Sequence, residues 1–249
     1  MVFKNRQEAG KKLATKLLSH LVIEPLSNKQ SLLLRNKQSL LLRNKQSLLL
    51  RNKIIVLAIP RGGVVIGKEL ATVLNCPLDV IVTKKIGAPG NPELAVGAVG
   101  PFEASTELSR TSYAQGEPVI DEELAGRVGA DEKYLKSQIA KLRTEVDRRI
   151  KEYHGDKPPL ELKNKVVIIT DDGVATGATM MAAVEIARQQ NPKKIIVAVP
   201  VIAKDTLEKI EKLADEVVYL DAPEMFFAVG QFYREFEQIS DEEVVRLLR

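Results

Sequence analysis

One cysteine, two histidines and no tryptophan occur in 249 residues. A lone thiol, Cys76, excludes an intrachain disulfide framework. It ends an apolar helical pattern, so it reads as a buried structural thiol rather than a nucleophile. His20 and His154 lie far apart in the chain, and no Cys/His spacing suits zinc. Aromatic residues make up only 4% of the chain, which leaves few stacking platforms for single-stranded nucleic acid. With no helix–turn–helix segment and no dense basic strip, nucleic acid is not an expected partner. No apolar run approaches the ~20 residues that cross a bilayer. The start, Met1-Val2-Phe3-Lys4-Asn5-Arg6, turns charged at once and lacks a secretory apolar stretch. These absences predict a reducing, cytoplasmic setting and no membrane partner. A Gly-x-Ser-x-Gly hydrolase elbow is also missing.

What is present is ordinary globular composition, 45% hydrophobic and 28% charged, with a formal net charge of +4. A mild positive balance suits an anionic substrate. Apolar positions Ala9, Leu13, Leu17, Leu18 and Leu21 predict an amphipathic helix over residues 5–21. Residues 28–51 repeat Asn-Lys-Gln-Ser-Leu-Leu-Leu-Arg three times. Solenoid repeats usually run ~20–50 residues, so this unit reads as an insertion tolerated at a surface connection, helical or poorly ordered. From Ile54 onward, short β-branched runs alternate with helical patterns. Strands are predicted at 54–59, 78–83, 94–99, 166–169, 194–199 and 216–220. Helices are predicted at 64–74, 121–153, 180–190 and 203–214, with a last helix capped by Ser240. Residues 84–92 are dense in Gly and Pro and read as a loop. Residues 101–120 read as a hairpin or irregular flap. Alternation of strand and helix predicts an α/β fold: an open, mostly parallel sheet flanked by helices.

The most informative stretch is Val166-Val-Ile-Ile-Thr-Asp-Asp-Gly-Val-Ala-Thr-Gly-Ala-Thr179. A buried strand runs into two adjacent acids, Asp171 and Asp172, and then into a small-residue turn that opens a helix. Ligands of open α/β sheets bind beyond the carboxyl ends of the strands, and helix N-termini bind anions. The acids can accept hydrogen bonds from sugar hydroxyls. The amides and hydroxyls of Ala175 to Thr179 can cradle a phosphate. A Walker loop would need Gly-Lys-Ser/Thr, and a dinucleotide fingerprint Gly-x-Gly-x-x-Gly; neither is here. Together these features suit a phosphorylated sugar.

The stretch resembles the phosphoribosyl-pyrophosphate (PRPP) motif of type I phosphoribosyltransferases. Pro60-Arg61-Gly62-Gly63, the run from Lys85 to Val99 and the tail Phe226 to Tyr233 also resemble a bacterial group of predicted phosphoribosyltransferases, some of whose members are fused to a hydrolase domain. The resemblance implies one phosphoribosyltransferase-like domain over residues 1–249. Its core would span about 54–220, with an insertion at 28–53 and a hood with a terminal helix at 221–249.

The same resemblance implies site roles. The 5-phosphate would lie on Ala175, Thr176, Gly177, Ala178 and Thr179, with Gly173 and Val174 also counted in the PRPP-binding stretch. The ribose hydroxyls would meet Asp171 and Asp172, and the pyrophosphate would meet Arg61, Gly62 and Gly63 with Lys84 or Lys85. Of that pair Lys85 matches the family pattern better. Catalytic roles would fall to Asp171, Asp172, Lys85 and Arg61, with either acid a candidate general base and Glu93 an outside candidate. Residues 87–93 are either a mobile lid or a plain rigid loop. Magnesium would bind mainly through PRPP oxygens and water, helped indirectly by Asp171 and Asp172. The implied reaction is transfer of the 5-phosphoribosyl group to a nitrogenous, nucleobase-like acceptor, with loss of pyrophosphate. The alternative is a PRPP-binding regulator without transfer activity. The Tyr/Phe cluster at 219–236 either covers the acceptor or closes the core. A homodimer is common for such folds.

Overall fold

A computed structural model describes residues 1–23, 53–100, 118–155, 157–158 and 160–249. The repeat at 28–51 and most of the flap at 101–120 lie outside the described residues. The elements, in chain order, are α1 (Arg6–Ile23), β1 (Ile54–Ala58), α2 (Gly62–Leu74), β2 (Leu78–Val80), β3 (Lys84–Ala88), β4 (Asn91–Val99), β5 (Val119–Ile120), α3 (Glu122–Arg127) and α4 (Glu132–His154). They continue with β6 (Val166–Thr170), α5 (Ala178–Arg188), β7 (Lys194–Val201), α6 (Lys204–Ile210), β8 (Glu216–Asp221), a 3-10 turn (Val229–Phe232) and α7 (Asp241–Leu248).

Among the described residues, β2, β1, β6, β7 and β8 form a five-stranded sheet in that order, every neighbouring pair parallel. Strand β1 reads Ile-Ile-Val-Leu-Ala and is buried along its whole length, as a strand covered on both faces must be. Alternation then sends Ile55, Leu57, Val167, Ile169, Val197 and Val199 to one face, where α5 and α6 cover them. Ile54, Val56, Ile168, Ile196, Ala198 and Val218 go to the other, under α1 and α2. Each buried aliphatic side chain contributes about 1.5–3 kcal/mol relative to exposure, so the register is strongly specified. The predicted mostly parallel α/β sheet is the observed one.

Strand order reverses between β1 and β6: the chain leaves β1 towards β2 on one side and β6 towards β7 and β8 on the other. Such a reversal opens a crevice at the carboxyl ends of the two strands. Residues 60–63 and 171–179 both leave the sheet at that crevice, because Ala58 pairs with Thr170 in register.

Two expectations are corrected. The strand expected over 78–83 is β2 alone, ending at Val80. Residues 84–92 are not a loop but the arms of an antiparallel hairpin, β3 with β4, which β5 extends. A Pro89-Gly90 turn joins the arms, with Gly90 at φ 73°. Ile86 and Ala88 are buried while their neighbours Lys85 and Gly87 are not, and that period of two makes a strand despite the glycines. The Tyr134 hydroxyl on α4 donates to the Gly87 carbonyl at 2.8 Å.

Candidate functional site

The turn after β1 contains a cis peptide between Pro60 and Arg61, and α2 starts at Gly62. Its two glycines are dictated by the neighbouring strand. A Cβ on Gly62 would stand 1.9 Å from Asp172 Oδ2, and one on Gly63 would stand 2.8 Å from Asp171 Cα. Nothing larger than hydrogen fits there. The structure thus presses Arg61-Gly62-Gly63 directly against the acid pair.

After β6, Val174 is stitched to the end of β7: its amide donates to Val201 at 2.9 Å, and its carbonyl accepts from Ala203 at 2.9 Å. The Thr206 hydroxyl donates to the Ala175 carbonyl at 2.6 Å. Gly177 then takes φ 80° as the N-cap of α5, a conformation open to glycine at little cost. Thr176 and Thr179 face solvent while Gly173, Val174 and Gly177 are buried. The first amides of α5 have no intrahelical acceptor and sit at the positive end of the helix dipole. The loop is therefore a rigid backbone cradle with two exposed hydroxyl-bearing residues.

The acids are not equivalent. Asp171 Oδ1 accepts from the Asp172 amide at 2.8 Å. Burial, reinforced by the adjacent Asp172 charge, holds its carboxyl well above the usual aspartate range. Asp172 Oδ2 accepts from Arg6 Nε at 2.8 Å. Burial pushes this carboxyl up as well, while the Arg6 guanidinium opposes the shift. Tyr233 donates its hydroxyl to the Asp172 carbonyl at 2.5 Å, and burial then the Asp172 charge raise that phenol's pKa.

Of the lysine pair, Lys84 turns to α4, where its ammonium lies 2.7 Å from Glu145 and holds that carboxyl below its usual range. Lys85 occupies the alternate position on β3, paired in register with Ala98. Ala98 packs with Ile186 of α5, so Lys85 takes the face towards the helix that the cradle opens. Arg61 keeps a 3.9 Å contact to Asp241, with its side chain 37% exposed. Glu93 belongs to β4, and its side chain lies outside the described residues. The segment expected as a lid or rigid loop, 87–93, is part of the β3–β4 hairpin. Cys76 is half-buried, and burial raises its thiol to about 12. His154 pairs with Asp79 at 2.5 Å, away from the crevice.

One residue escaped the sequence reading, Arg6; Tyr233 and Phe236 belong to the 219–236 aromatic cluster, whose contacts with Asp172 and Arg6 the sequence did not foretell. Residues 3–4 zip onto 232–235 through backbone bonds from Phe3 to Phe232, Arg234 to Phe3 and Glu235 to Lys4, at 2.8–2.9 Å. The Arg6 guanidinium lies 3.8 Å from the Phe236 ring centroid, and its Nη1 donates to the Glu237 carbonyl at 2.7 Å. A cavity of about 340 Å³ beside it is lined by Arg6, Arg61, Gly62, Phe236 and Glu237 among others. The one sequence signal for Arg6 is a cation at the start of a helix, where the dipole disfavours it. The aromatic cluster divides: Phe232 and Tyr233 are buried with Phe3, closing the core, while Phe227 is 81% exposed.

Among the described residues no helix is long and apolar enough to cross a membrane. A family model described as the phosphoribosyl transferase domain matches residues 33–237. A Mycobacterium tuberculosis protein named as a phosphoribosyl transferase is 38% identical over 195 residues, covering 78% of this chain and 41% of the relative. The chain thus spans about two fifths of that relative's length. A ribose-phosphate pyrophosphokinase of Pyrococcus furiosus is 38% identical over 60 residues, 23% of this chain and 22% of that protein. The crystal structure of TT1426 from Thermus thermophilus superposes with a TM-score of 0.76 at 35% identity, covering 100% of this chain and 98% of that one. The chain belongs to the phosphoribosyl transferase domain family.

Proposed function

We propose that this protein is a magnesium-dependent phosphoribosyltransferase, which moves the 5-phosphoribosyl group of PRPP to a nitrogenous, nucleobase-like acceptor and releases pyrophosphate. One observation carries the reading: the Arg61-Gly62-Gly63 turn abuts Asp171 and Asp172 at the strand-order reversal, beside the Ala175–Thr179 cradle. A ligand with an anion at each end and hydroxyls between matches that layout. The cradle amides take the 5-phosphate, Asp171 and Asp172 take the ribose hydroxyls, and Arg61 with Lys85 takes the pyrophosphate.

In the reaction, the anomeric carbon loses its bond to pyrophosphate oxygen and gains one to the acceptor nitrogen, with inversion. The acceptor nitrogen supplies the electron pair and gives up its proton, to Asp171 or Asp172 as general base or to a group at the acceptor site, so the chain needs no nucleophile of its own. Its residues hold the donor and stabilise charge on the departing group. Among the described residues no cluster of three or more His, Cys, Asp or Glu side chains is built for a metal, and Asp172 is engaged by Arg6. This donor set fits magnesium held chiefly by PRPP oxygens and water, with Asp171 and Asp172 in electrostatic support. When bound, the ion neutralises charge on the pyrophosphate.

The test is incubation with PRPP and magnesium against a panel of nucleobases and related heterocycles, following pyrophosphate. Acceptor-dependent release is expected. Saturable PRPP binding with no release for any acceptor would instead make the protein a PRPP-binding regulator.

A further inference from the structure

We propose that Arg6 is a positioning residue for the phosphoribosyl donor, acting through Asp172; this inference rests on the donor site proposed above. Arg6 belongs to α1, outside the sheet core, yet its Nε reaches Asp172 Oδ2 at 2.8 Å, with the two side chains 9% and 13% exposed. A salt bridge so nearly buried is expensive to desolvate and is weak evidence for stability as such. Each donor of the guanidinium that contacts protein has a distinct job. Nε holds the carboxylate, Nη1 holds the Glu237 carbonyl at 2.7 Å, and the face rests on Phe236.

The contact is also keyed to the turn that follows β1. A Cβ on Gly62 would lie 1.9 Å from Asp172 Oδ2 and 3.0 Å from Arg6 Nε, so the three groups converge on one point. Tyr233 grips the same aspartate from the C-terminal segment, through its carbonyl. The N-terminal helix and the hood therefore meet at Asp172, which is held at both its side chain and its backbone. With Arg6 in place the carboxylate has one orientation, and the guanidinium opposes the upward pull of burial on its pKa. Ribose hydroxyls then meet a preorganised acceptor. Without Arg6, part of the donor's binding energy goes into ordering that group.

The discriminating measurement is calorimetric titration, well below each melting temperature, of wild type, Arg6→Met, Asp172→Asn and the double variant. Two probes are used: PRPP with magnesium, and inorganic pyrophosphate with magnesium. Arg6→Met is expected to weaken PRPP about tenfold or more, the scale of a hydrogen bond to a charged group. Pyrophosphate, which has no ribose hydroxyls, should weaken by less than about threefold. In the Asp172→Asn background, loss of Arg6 should bring little further change, because the two act as one unit. Arg6→Lys retains charge but not the planar fork or the stacking; it should recover only part of the affinity, and it replaces Arg6→Met if that variant does not fold.

Equal weakening of both probes would mean a general loosening of the site and would overturn the proposal. So would independent, additive losses in the double variant, or full PRPP affinity in a folded Arg6 variant. A wild-type protein that binds no PRPP would overturn the donor-site reading and this inference with it, a pattern distinct from any of the others.

Discussion

Arg6 and Asp172, 166 residues apart, share a hydrogen-bonded ion pair of 2.8 Å in the crevice of the sheet. Because both side chains are nearly buried, removing one partner strands the other. Arg6→Met should therefore cost about 3–5 kcal/mol of folding stability. Combining it with Asp172→Asn should restore part of that, since no uncompensated charge remains. Thermal melts of the four proteins give the coupling, and a double variant as unstable as the sum of the singles would contradict it.

Asp171 yields a pH prediction whose sign follows from its surroundings. Burial and the adjacent Asp172 charge raise its carboxyl pKa in the folded state. A group that binds its proton more tightly when folded contributes stability that is fully present below its unfolded pKa. That contribution is lost as pH rises through the folded value. The ligand-free protein should thus lose stability at this position as pH climbs from about 4 towards neutrality. Asp171→Asn removes the charge yet keeps an oxygen for the Asp172 amide. It should raise the melting temperature near neutral pH and flatten its dependence on pH, with ~1 kcal/mol reading as about 2–4 °C. The same variant should bind PRPP more weakly. A lower melting temperature at every pH would refute the assignment.

Much of this architecture was legible in the chain for a physical reason. Strands such as 54–58 and 166–170 are buried on both faces, so they appear as unbroken, mostly apolar runs rich in β-branched residues. The acid pair and its small-residue turn were equally visible, because a backbone cradle needs residues without bulk. The second arm of the hairpin was read as a strand at 94–99, but its first arm and turn were hidden by their own glycines and prolines. Its alternation of Lys85, Ile86, Gly87 and Ala88 is a strand pattern, but Gly87, Pro89, Gly90 and Pro92 argue for a loop more loudly. Arg6 was missed for a different reason: its partner, 166 residues away, is set by how the helix packs, and the only local signal is a cation at a helix start, which names no partner.

The close fit of the two turns predicts the effect of a single methyl group. In Gly63→Ala the new carbon would fall 2.8 Å from Asp171 Cα and 2.9 Å from the Thr170 carbonyl oxygen. Backbone atoms cannot swing aside as a flexible side chain can, so β1 and β6 must separate at their carboxyl ends. The expected cost is about 1–3 kcal/mol, together with a loss of PRPP affinity larger than Thr176→Ala produces in the exposed part of the cradle. Unchanged stability and affinity in Gly63→Ala would mean that the two turns are not in the contact described.

The adjacent lysines should separate cleanly on mutation. Lys84 is committed to Glu145 at 2.7 Å, with side chains 28% and 39% exposed. A half-exposed ion pair of this kind is worth less than about 1 kcal/mol, and it faces α4 rather than the crevice. Lys84→Ala should therefore shift the melting temperature by no more than a few degrees and leave PRPP affinity within about twofold. Lys85 lies on the opposite face of β3, towards α5. If it carries the pyrophosphate, Lys85→Ala should weaken PRPP and inorganic pyrophosphate together by about tenfold or more. It should leave ribose 5-phosphate, which has no pyrophosphate, nearly unaffected. The reverse ranking, with Lys84 the sensitive position, would require the hairpin to turn over when the donor binds, and would reassign the pyrophosphate contact to Lys84.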